Sequence, residues 1–161
     1  MNCRKFFYFI TVVALSFNFY SCGRTANSMS HHSLCYEKII KSDPVRNENG
    51  QMISFMDSMF LHLDIKGKNV VGTFEWMPSK SKYITGTLKG KIEDNLIKAI
   101  YTYQTSEGVM QQEERFIKLE EDSAYFRVGG KMRLKDGVYI YTNDQENMQF
   151  GAAIPQKYCR H

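Results

Sequence analysis

Apolar and polar residues alternate along most of the chain after residue 33, in short segments that turn residues separate. In the clearest example, Leu61, Leu63 and Ile65 alternate with His62 and Asp64. The other segments of this kind are 34–41, 70–76, 84–92, 96–103, 110–119, 124–128, 131–134, 138–142 and 149–154. A period of two is typical of β-strands. We therefore predict eight to ten strands and no long helix.

The connections between these segments are short and rich in turn residues, such as Lys135-Asp136-Gly137. Antiparallel neighbours, with hardly a helix to cover an open sheet, favour a sheet that closes on itself. An up-and-down barrel removes the exposed strand edges that an open sheet would leave for aggregation. The predicted fold class is therefore all-β, a single antiparallel up-and-down barrel.

Two of the predicted strands share a short motif, Gly72-Thr73-Phe74 and Gly86-Thr87-Leu88. These arms resemble the repeating strands of small lipocalin-like, calycin-type bacterial envelope lipoproteins, over roughly residues 60–130. The resemblance implies a lipocalin-like barrel. It carries little information about function, since one fold serves many functions.

The first 22 residues follow a different pattern. A basic start, residues 1–5, precedes the apolar run 6–20 and then Ser21-Cys22-Gly23. This arrangement predicts a secretory signal peptide, because the apolar run is shorter than the ~20 residues that cross a bilayer. A cysteine at the end of such a run resembles the lipobox of bacterial lipoproteins, which implies that Cys22 carries acyl chains such as palmitate. Phe19 and Tyr20 depart from the usual lipobox, so an ordinary signal peptide cut nearby is the alternative.

These features predict three parts: a lipoprotein signal peptide at 1–21, a flexible tether at 22–33 and a β-barrel domain at 34–161. Gly23 replaces the aspartate that retains some lipoproteins at the inner membrane, so the resemblance favours the outer one. The expected partners are the bacterial membrane, through the lipid anchor, and a small hydrophobic ligand or an envelope protein. Without residues 1–21, 19 basic residues face 17 acidic ones, which argues against nucleic-acid binding.

Aromatic side chains on the predicted inward faces are candidates for lining a ligand cavity: Phe74, Trp76, Tyr101, Tyr103 and Phe126. If the turn between two strands centres on Glu107, Tyr101 lies opposite Glu113 and Ala99 lies opposite Arg115. An arginine, a carboxylate and two phenols would then form a polar binding patch inside the barrel. A slip of one residue would turn every partner to the other face, which leaves an outward charged pair as the alternative.

Met52, Met56, Met59 and His62 bear soft or borderline metal ligands at spacings that would share one face of a helix. Exported proteins use such ligands to hold Cu(I). The alternative is that the methionines fill gaps in the core, which the neighbouring Ile53 and Phe55 favour. We expect no cofactor.

Cys35 and Cys159 are the two thiols left once Cys3 departs with the signal peptide and Cys22 is acylated. In a closed barrel the first and last strands are neighbours, so these cysteines can approach within the ~6 Å between Cα atoms that a disulfide needs. Disulfides persist outside the cytoplasm. We therefore predict a Cys35–Cys159 bond.

No Ser-His-Asp spacing, phosphate loop or HExxH motif occurs, and we assign no catalytic residues. The favoured interpretation is a non-enzymatic, membrane-anchored lipoprotein whose barrel binds an apolar or amphiphilic small molecule. A protein-interaction or inhibitor module of the cell envelope is one alternative. A copper-binding lipoprotein is the other.

Overall fold

The computed structural model describes residues 31–142 and 147–159, in which every regular element is a β-strand. The predicted signal peptide, Cys22 and most of the predicted tether lie outside the described residues. The strands are β1 (His31–Lys41), β2 (Val45–Arg46), β3 (Met52–Ile53), β4 (Met56–Lys66), β5 (Asn69–Met77), β6 (Ile84–Glu93), β7 (Leu96–Gln104), β8 (Met110–Leu119), β9 (Ser123–Val128), β10 (Met132–Lys135), β11 (Val138–Tyr141), β12 (Gln149–Phe150) and β13 (Ile154–Lys157). Within these described ranges, no helix is long and apolar enough to cross a membrane.

Eight strands close into a ring in which each strand pairs with two antiparallel neighbours. The order around the ring is β1, β4, β5, β6, β7, β8, β9 and β13, and β13 returns to β1. Four successive hairpins, from β4 to β8, supply most of the wall. The predicted closed up-and-down barrel is confirmed, and it is consistent with a lipocalin-like fold.

The seam between β8 and β9 is short, since the two strands pair only from Ile117 to Leu119 on the β8 side. The first part of β8 pairs instead with β11, in parallel, and Gln112 lies opposite Val138 there. Because β10 and β11 form an antiparallel hairpin, the chain after β9 inserts a two-stranded arm into the wall. Alternation predicted both strands, but a parallel pairing leaves no local turn signal in the sequence.

Every second residue of the ring strands faces the interior, as the alternation predicts. Cross-strand partners show this directly: Leu61 lies opposite Phe74, and Leu88 lies opposite Tyr101. The largest fully buried side chains are Leu61, Leu63, Val70, Leu88, Ile97, Tyr101, Ile117 and Ile154. Full burial of such a side chain contributes roughly 1.5–3 kcal/mol. One continuous interior therefore stabilises the closed ring.

The first residues of β1 and the disulfide lie in the same part of the barrel. β1 begins at His31, ahead of the expected Leu34, because residues 31–33 continue the ladder with β4. Cys35 and Cys159 form the predicted disulfide, with 5.2 Å between their Cα atoms. Pairing of β13 with β1 places Lys157 opposite Cys35, which brings Cys159 to the same place.

The two ends of the barrel differ in the connections that they carry. The open end carries the connections 41–56, 77–84, 104–110 and 128–138. The closed end carries the connections 66–69, 93–96 and 119–123, together with His31 and Cys159. Just inside the closed end, Leu63 and Ile97 have no solvent-exposed surface. The described chain therefore enters and leaves the barrel at its sealed end.

Candidate functional site

The interior has two layers of different chemistry. The layer near the closed end is aliphatic and holds Leu63, Ile65, Val70, Ile97, Ile117, Ala124 and Ile154. Toward the open end, Leu61 and Leu88 are joined by aromatic and charged side chains, Phe74, Tyr101, Tyr103, Glu113, Arg115 and Phe126. Binding pockets combine apolar walls with a few polar groups that orient a ligand, so the second layer is the candidate site.

The aromatic rings of this layer contact one another across the barrel. Tyr101 and Tyr103 stack with their ring centres 4.9 Å apart, and Phe74 meets the edge of Tyr101 at 5.7 Å. Phe126 lies 4.5 Å from Phe74 on its other side. A Cβ added at Gly86 would lie 2.7 Å from the Tyr101 ring, so the glycine provides the space that this ring occupies. The absence of a side chain there also lets the Tyr101 hydroxyl donate a hydrogen bond to the Phe74 carbonyl at 3.0 Å.

Glu113 and Arg115 form a charged pair on the inner face of β8. The register places Glu113 opposite Tyr101 and Arg115 opposite Ala99, which is the pairing expected from a turn centred on Glu107. Because Tyr101 and Ala99 belong to the core, both charged side chains face the interior. The Arg115 Nη2 donates a hydrogen bond to the Glu113 carboxylate. The alternative of an outward pair on a solvated strand is wrong.

Several side chains of this layer are partly exposed to solvent. Arg115 keeps 32% of its side-chain surface exposed although it faces inward, and Glu113 keeps 11%. Phe74 and Tyr103 are also only partly buried. The Nε of Arg115, in contrast, is buried and has no hydrogen-bond partner among the described residues. A buried unpaired donor costs free energy. A ligand atom that accepted a hydrogen bond from the Arg115 Nε would remove this cost, which would favour binding.

Both phenols of the site remain protonated at physiological pH. Burial raises the pKa of Tyr101 well above its usual value, Arg115 opposes that rise and Glu113 adds to it. Burial likewise raises the pKa of Tyr103. The Tyr101 hydroxyl is engaged by Phe74, whereas no described residue binds the Tyr103 hydroxyl. Tyr103 therefore offers a neutral donor beside the charged pair.

The structure brings four of the five predicted ligand-binding residues together: Phe74, Tyr101, Tyr103 and Arg115. The fifth, Trp76, lies opposite Ile84 at the end of β5, with 37% of its surface exposed at the rim of the open end. Alternation placed Trp76 correctly on the inner face. Because β5 ends at Met77, one residue later, the Trp76 ring lies at the edge of the interior and not within it.

The predicted copper ligands do not share a face, because the segment is a strand and not a helix. Met59 packs against the core, whereas His62 faces outward beside Cys35 on β1. Met56 begins β4 and Met52 lies in β3, both exposed. A helical spacing places these side chains on opposite faces once the backbone is extended.

His62 belongs instead to a small polar group on the outer wall. Its Nε2 lies 2.9 Å from the Ser33 hydroxyl and 3.6 Å from the Asp64 carboxylate. Its nearest ring nitrogen and the sulfurs of Cys35 and Cys159 lie within 4.8 Å of one another, beside a shallow groove of about 220 Å³. The two sulfurs are bonded to each other, so they present no thiolate to a metal ion.

A second buried charge, which the sequence patterns did not reveal, lies outside the barrel wall. Arg127 on β9 is 5% exposed, and its guanidinium lies 3.9 Å from the ring centre of Tyr141 on β11. Beside it, Glu114 accepts hydrogen bonds from Lys98 at 2.9 Å and from the Tyr141 amide at 3.1 Å. The β10–β11 arm covers these groups. The burial of Arg127 and Glu114 follows from the parallel pairing of β11 with β8. The alternation of apolar and polar residues does not predict that pairing.

Comparisons of this chain with models of known protein families, with curated proteins and with solved structures give no match.

Proposed function

We propose that this protein is an exported, lipid-anchored binding protein whose barrel takes up the polar head of an amphiphilic small molecule at its open end. The observation that carries the proposal is Arg115, an inward-facing, partly hydrated arginine with an unpaired buried Nε. Arg127 also has nitrogens that are unpaired among the described residues, Nε and Nη1, but it is 5% exposed beneath the β10–β11 arm, whereas Arg115 faces the interior and keeps 32% of its side chain exposed.

The charged pair favours an uncharged head. Glu113 already neutralises Arg115, and its carboxylate would repel a second anion placed beside it. A head with hydroxyl or ester oxygens can accept from Arg115 Nε and from the Tyr103 hydroxyl, and it can donate to Glu113. The apolar tail would contact Phe74 and Phe126. A monoacylglycerol has this chemistry, and a fatty acid of the same chain length differs by its charge.

The test compares these two ligands on the chain that starts at Gly23, which contains every strand of the barrel. Native mass spectrometry and calorimetric titration should detect one bound monoacylglycerol and weaker binding of the fatty acid. The double variant Glu113→Leu/Arg115→Leu removes both charges together, so neither charge is left unpaired. It should weaken monoacylglycerol binding at least about tenfold, which corresponds to ~1.4 kcal/mol.

Arg133→Gln serves as the matched control, because Arg133 lies in the exposed β10–β11 arm. That variant should bind like the parent chain. Failure of both ligands to bind the parent, or equal binding by the double variant, would refute the proposed site.

The anchor is a separate part of the proposal, supported by the position of Cys22 directly after the apolar run and Ser21. Several acyl chains hold a protein at a bilayer far more firmly than one. The Cys22→Ala variant should therefore move from the membrane pellet to the soluble fraction, while Cys3→Ala should not. Unchanged fractionation of Cys22→Ala would refute the anchor without affecting the ligand site.

A further inference from the structure

Exposed apolar side chains gather at the open end of the barrel. Of the sixteen large apolar residues that the structure shows exposed, thirteen lie in the open-end connections or the strand ends beside them. They are Ile39, Ile40, Val45, Met52, Ile53, Met56, Trp76, Met77, Tyr83, Val109, Met110, Val128 and Leu134. Met110 is 62% exposed and Met52 is 61% exposed. Monomeric proteins rarely expose so many at one site unless the site binds something.

The two ends of the barrel also differ in their numbers of basic and acidic residues. The open-end connections carry seven basic residues, Lys41, Arg46, Lys80, Lys82, Lys131, Arg133 and Lys135, against four acidic ones, and the strand ends beside them add Asp57 and Glu75, which bond to Ser79 and Tyr83 of the loop 77–84. The closed-end connections carry two basic residues, Lys66 and Lys68, against five acidic ones. The open end is therefore apolar with a small excess of positive charge that is concentrated in the connections, whereas the closed end is acidic; apolar residues flanked by exposed lysines favour an anionic bilayer surface.

The arrangement of the apolar residues indicates a flat partner. They belong to four separate connections and to the strand ends beside them, which surround the open end of the barrel, and the partly exposed Arg115 lies inside this ring. Residues arranged in a ring contact a flat surface simultaneously, because they lie around one end of the barrel and do not form one continuous patch. Trp76 and Tyr83 on the rim have the amphipathic rings that favour a membrane–water interface.

We propose that the open end docks onto the surface of a lipid bilayer with anionic headgroups. The rim residues, which are the thirteen exposed apolar residues of the open end, enter the interface, and the lysines of the loop 77–84 contact lipid phosphates. In this orientation the mouth of the barrel opens toward the lipids. The proposal does not depend on the ligand site at Arg115. For the anchor at Cys22 and the rim to share one bilayer, the nine residues from Cys22 to His31, at most ~32 Å when extended, must run the length of the barrel wall from the closed end; otherwise the rim docks on a second, facing bilayer.

The test uses the only tryptophan of the chain, Trp76, as the reporter. The chain from Gly23 is titrated with vesicles of phosphatidylcholine and with vesicles that also contain phosphatidylglycerol. Docking moves the exposed part of Trp76, 37% of its surface, from water to the interface, so its emission should shift to shorter wavelength with the anionic vesicles. The protein should sediment with the same vesicles.

One double variant of the rim and a matched control separate docking from other adsorption. Val109→Glu/Met110→Glu places carboxylates on the rim and should reduce vesicle binding at least tenfold. Val71→Glu is the control, because Val71 is 50% exposed on the outer wall toward the closed end and should bind like the parent.

The charge contribution is tested with Lys80→Gln/Lys82→Gln against Lys66→Gln/Lys91→Gln. The first pair should weaken binding to anionic vesicles by about fivefold for each lysine, and the second pair should not. Glu113→Leu/Arg115→Leu should still dock, which keeps this outcome distinct from that of the ligand test.

Three results would overturn the proposal. The parent chain could fail to bind either kind of vesicle. It could form a dimer in sedimentation that Val109→Glu/Met110→Glu dissociates, in which case a second copy of the chain covers the rim. Vesicle binding could also be equal in the rim variant and in Val71→Glu, which would place the contact elsewhere on the barrel.

Discussion

The closed and open ends of this barrel are built from the same strands but differ in their turns, their interior and their surface. At the closed end, two-residue turns at Gly67-Lys68 and Asp94-Asn95 join the strands, with positive φ angles of 58° at Gly67 and 53° at Asp94. Such φ angles suit tight hairpins between twisted strands. At the open end, the connections 42–55 and 78–83 are longer. The closed end therefore has short turns, and the open end has longer loops.

This difference separates the parts of the molecule that stabilise it from the parts that can bind. The closed end holds the aliphatic layer and the disulfide, which stabilise the ring. The open end holds an unpaired arginine nitrogen, partly hydrated aromatic rings and an exposed apolar rim, all of which cost stability in the isolated protein. Binding sites commonly carry such costs, because the groups left unsatisfied are those that a ligand later engages.

The disulfide should make the largest single contribution to the closed end. Cys35 and Cys159 are 124 residues apart in sequence. The Cys35→Ala/Cys159→Ala variant should lose on the order of 4–5 kcal/mol of unfolding free energy, since the unfolded chain regains the freedom that the bond removes. Urea unfolding measures this, and reduction of the parent chain by a dithiol should cause a similar loss. A loss below about 1 kcal/mol would show that the residual structure of the unfolded chain, or another contact, replaces the bond.

Truncation of one apolar side chain at each end should show the next largest difference. Leu63→Ala removes a side chain with no exposed surface and should cost about 3 kcal/mol, including the cavity it leaves. Met110→Ala, at 62% exposure, should change the unfolding free energy by less than about 0.5 kcal/mol. Equal losses in urea unfolding would contradict the division of the barrel into a stabilising end and an accessible end.

Much of this organisation could be predicted from the sequence, because the period of two that identifies a strand also identifies its inward face. The register of Tyr101 with Glu113 followed from the sequence only on the condition that the turn centres on Glu107, and the structure meets that condition. Closure was predictable from the lack of helices, and the disulfide followed from closure.

The remaining features depend on contacts that have no local signature. The parallel pairing of β8 with β11 joins segments that no short turn connects, so the buried Arg127 was not predictable. The methionine run, in contrast, has a local pattern that led to a wrong prediction. Its spacing suggested one face of a helix, but the ladder with β1 holds residues 56–66 extended. Tertiary pairing overrides a local pattern of this length.

The hydroxyl of Tyr101 should contribute a smaller, measurable amount at the open end. Tyr101→Phe removes the hydrogen bond to the Phe74 carbonyl and leaves the ring packing in place, so it should cost about 1 kcal/mol. Tyr103→Phe is the matched control, since no described residue bonds its hydroxyl. Urea unfolding of both variants measures the difference. Equal losses would mean that the Tyr101 hydroxyl bond does not stabilise the aromatic layer.

The smallest expected effect is a pH dependence that the same residue controls. Burial raises the pKa of Tyr101 in the folded protein above the ~10 of an unfolded tyrosine. The unfolded chain therefore loses this proton first, so stability is full below about pH 10 and falls as the pH rises toward the folded pKa. Tyr36 and Tyr103, whose pKa values burial also raises, contribute in the same direction. Urea midpoints measured from about pH 8 to about pH 11 should decline less in Tyr101→Phe than in the parent chain. Parallel curves would show that Tyr101 ionises as readily in the folded barrel as in water, and that the aromatic layer is more hydrated than its packing indicates.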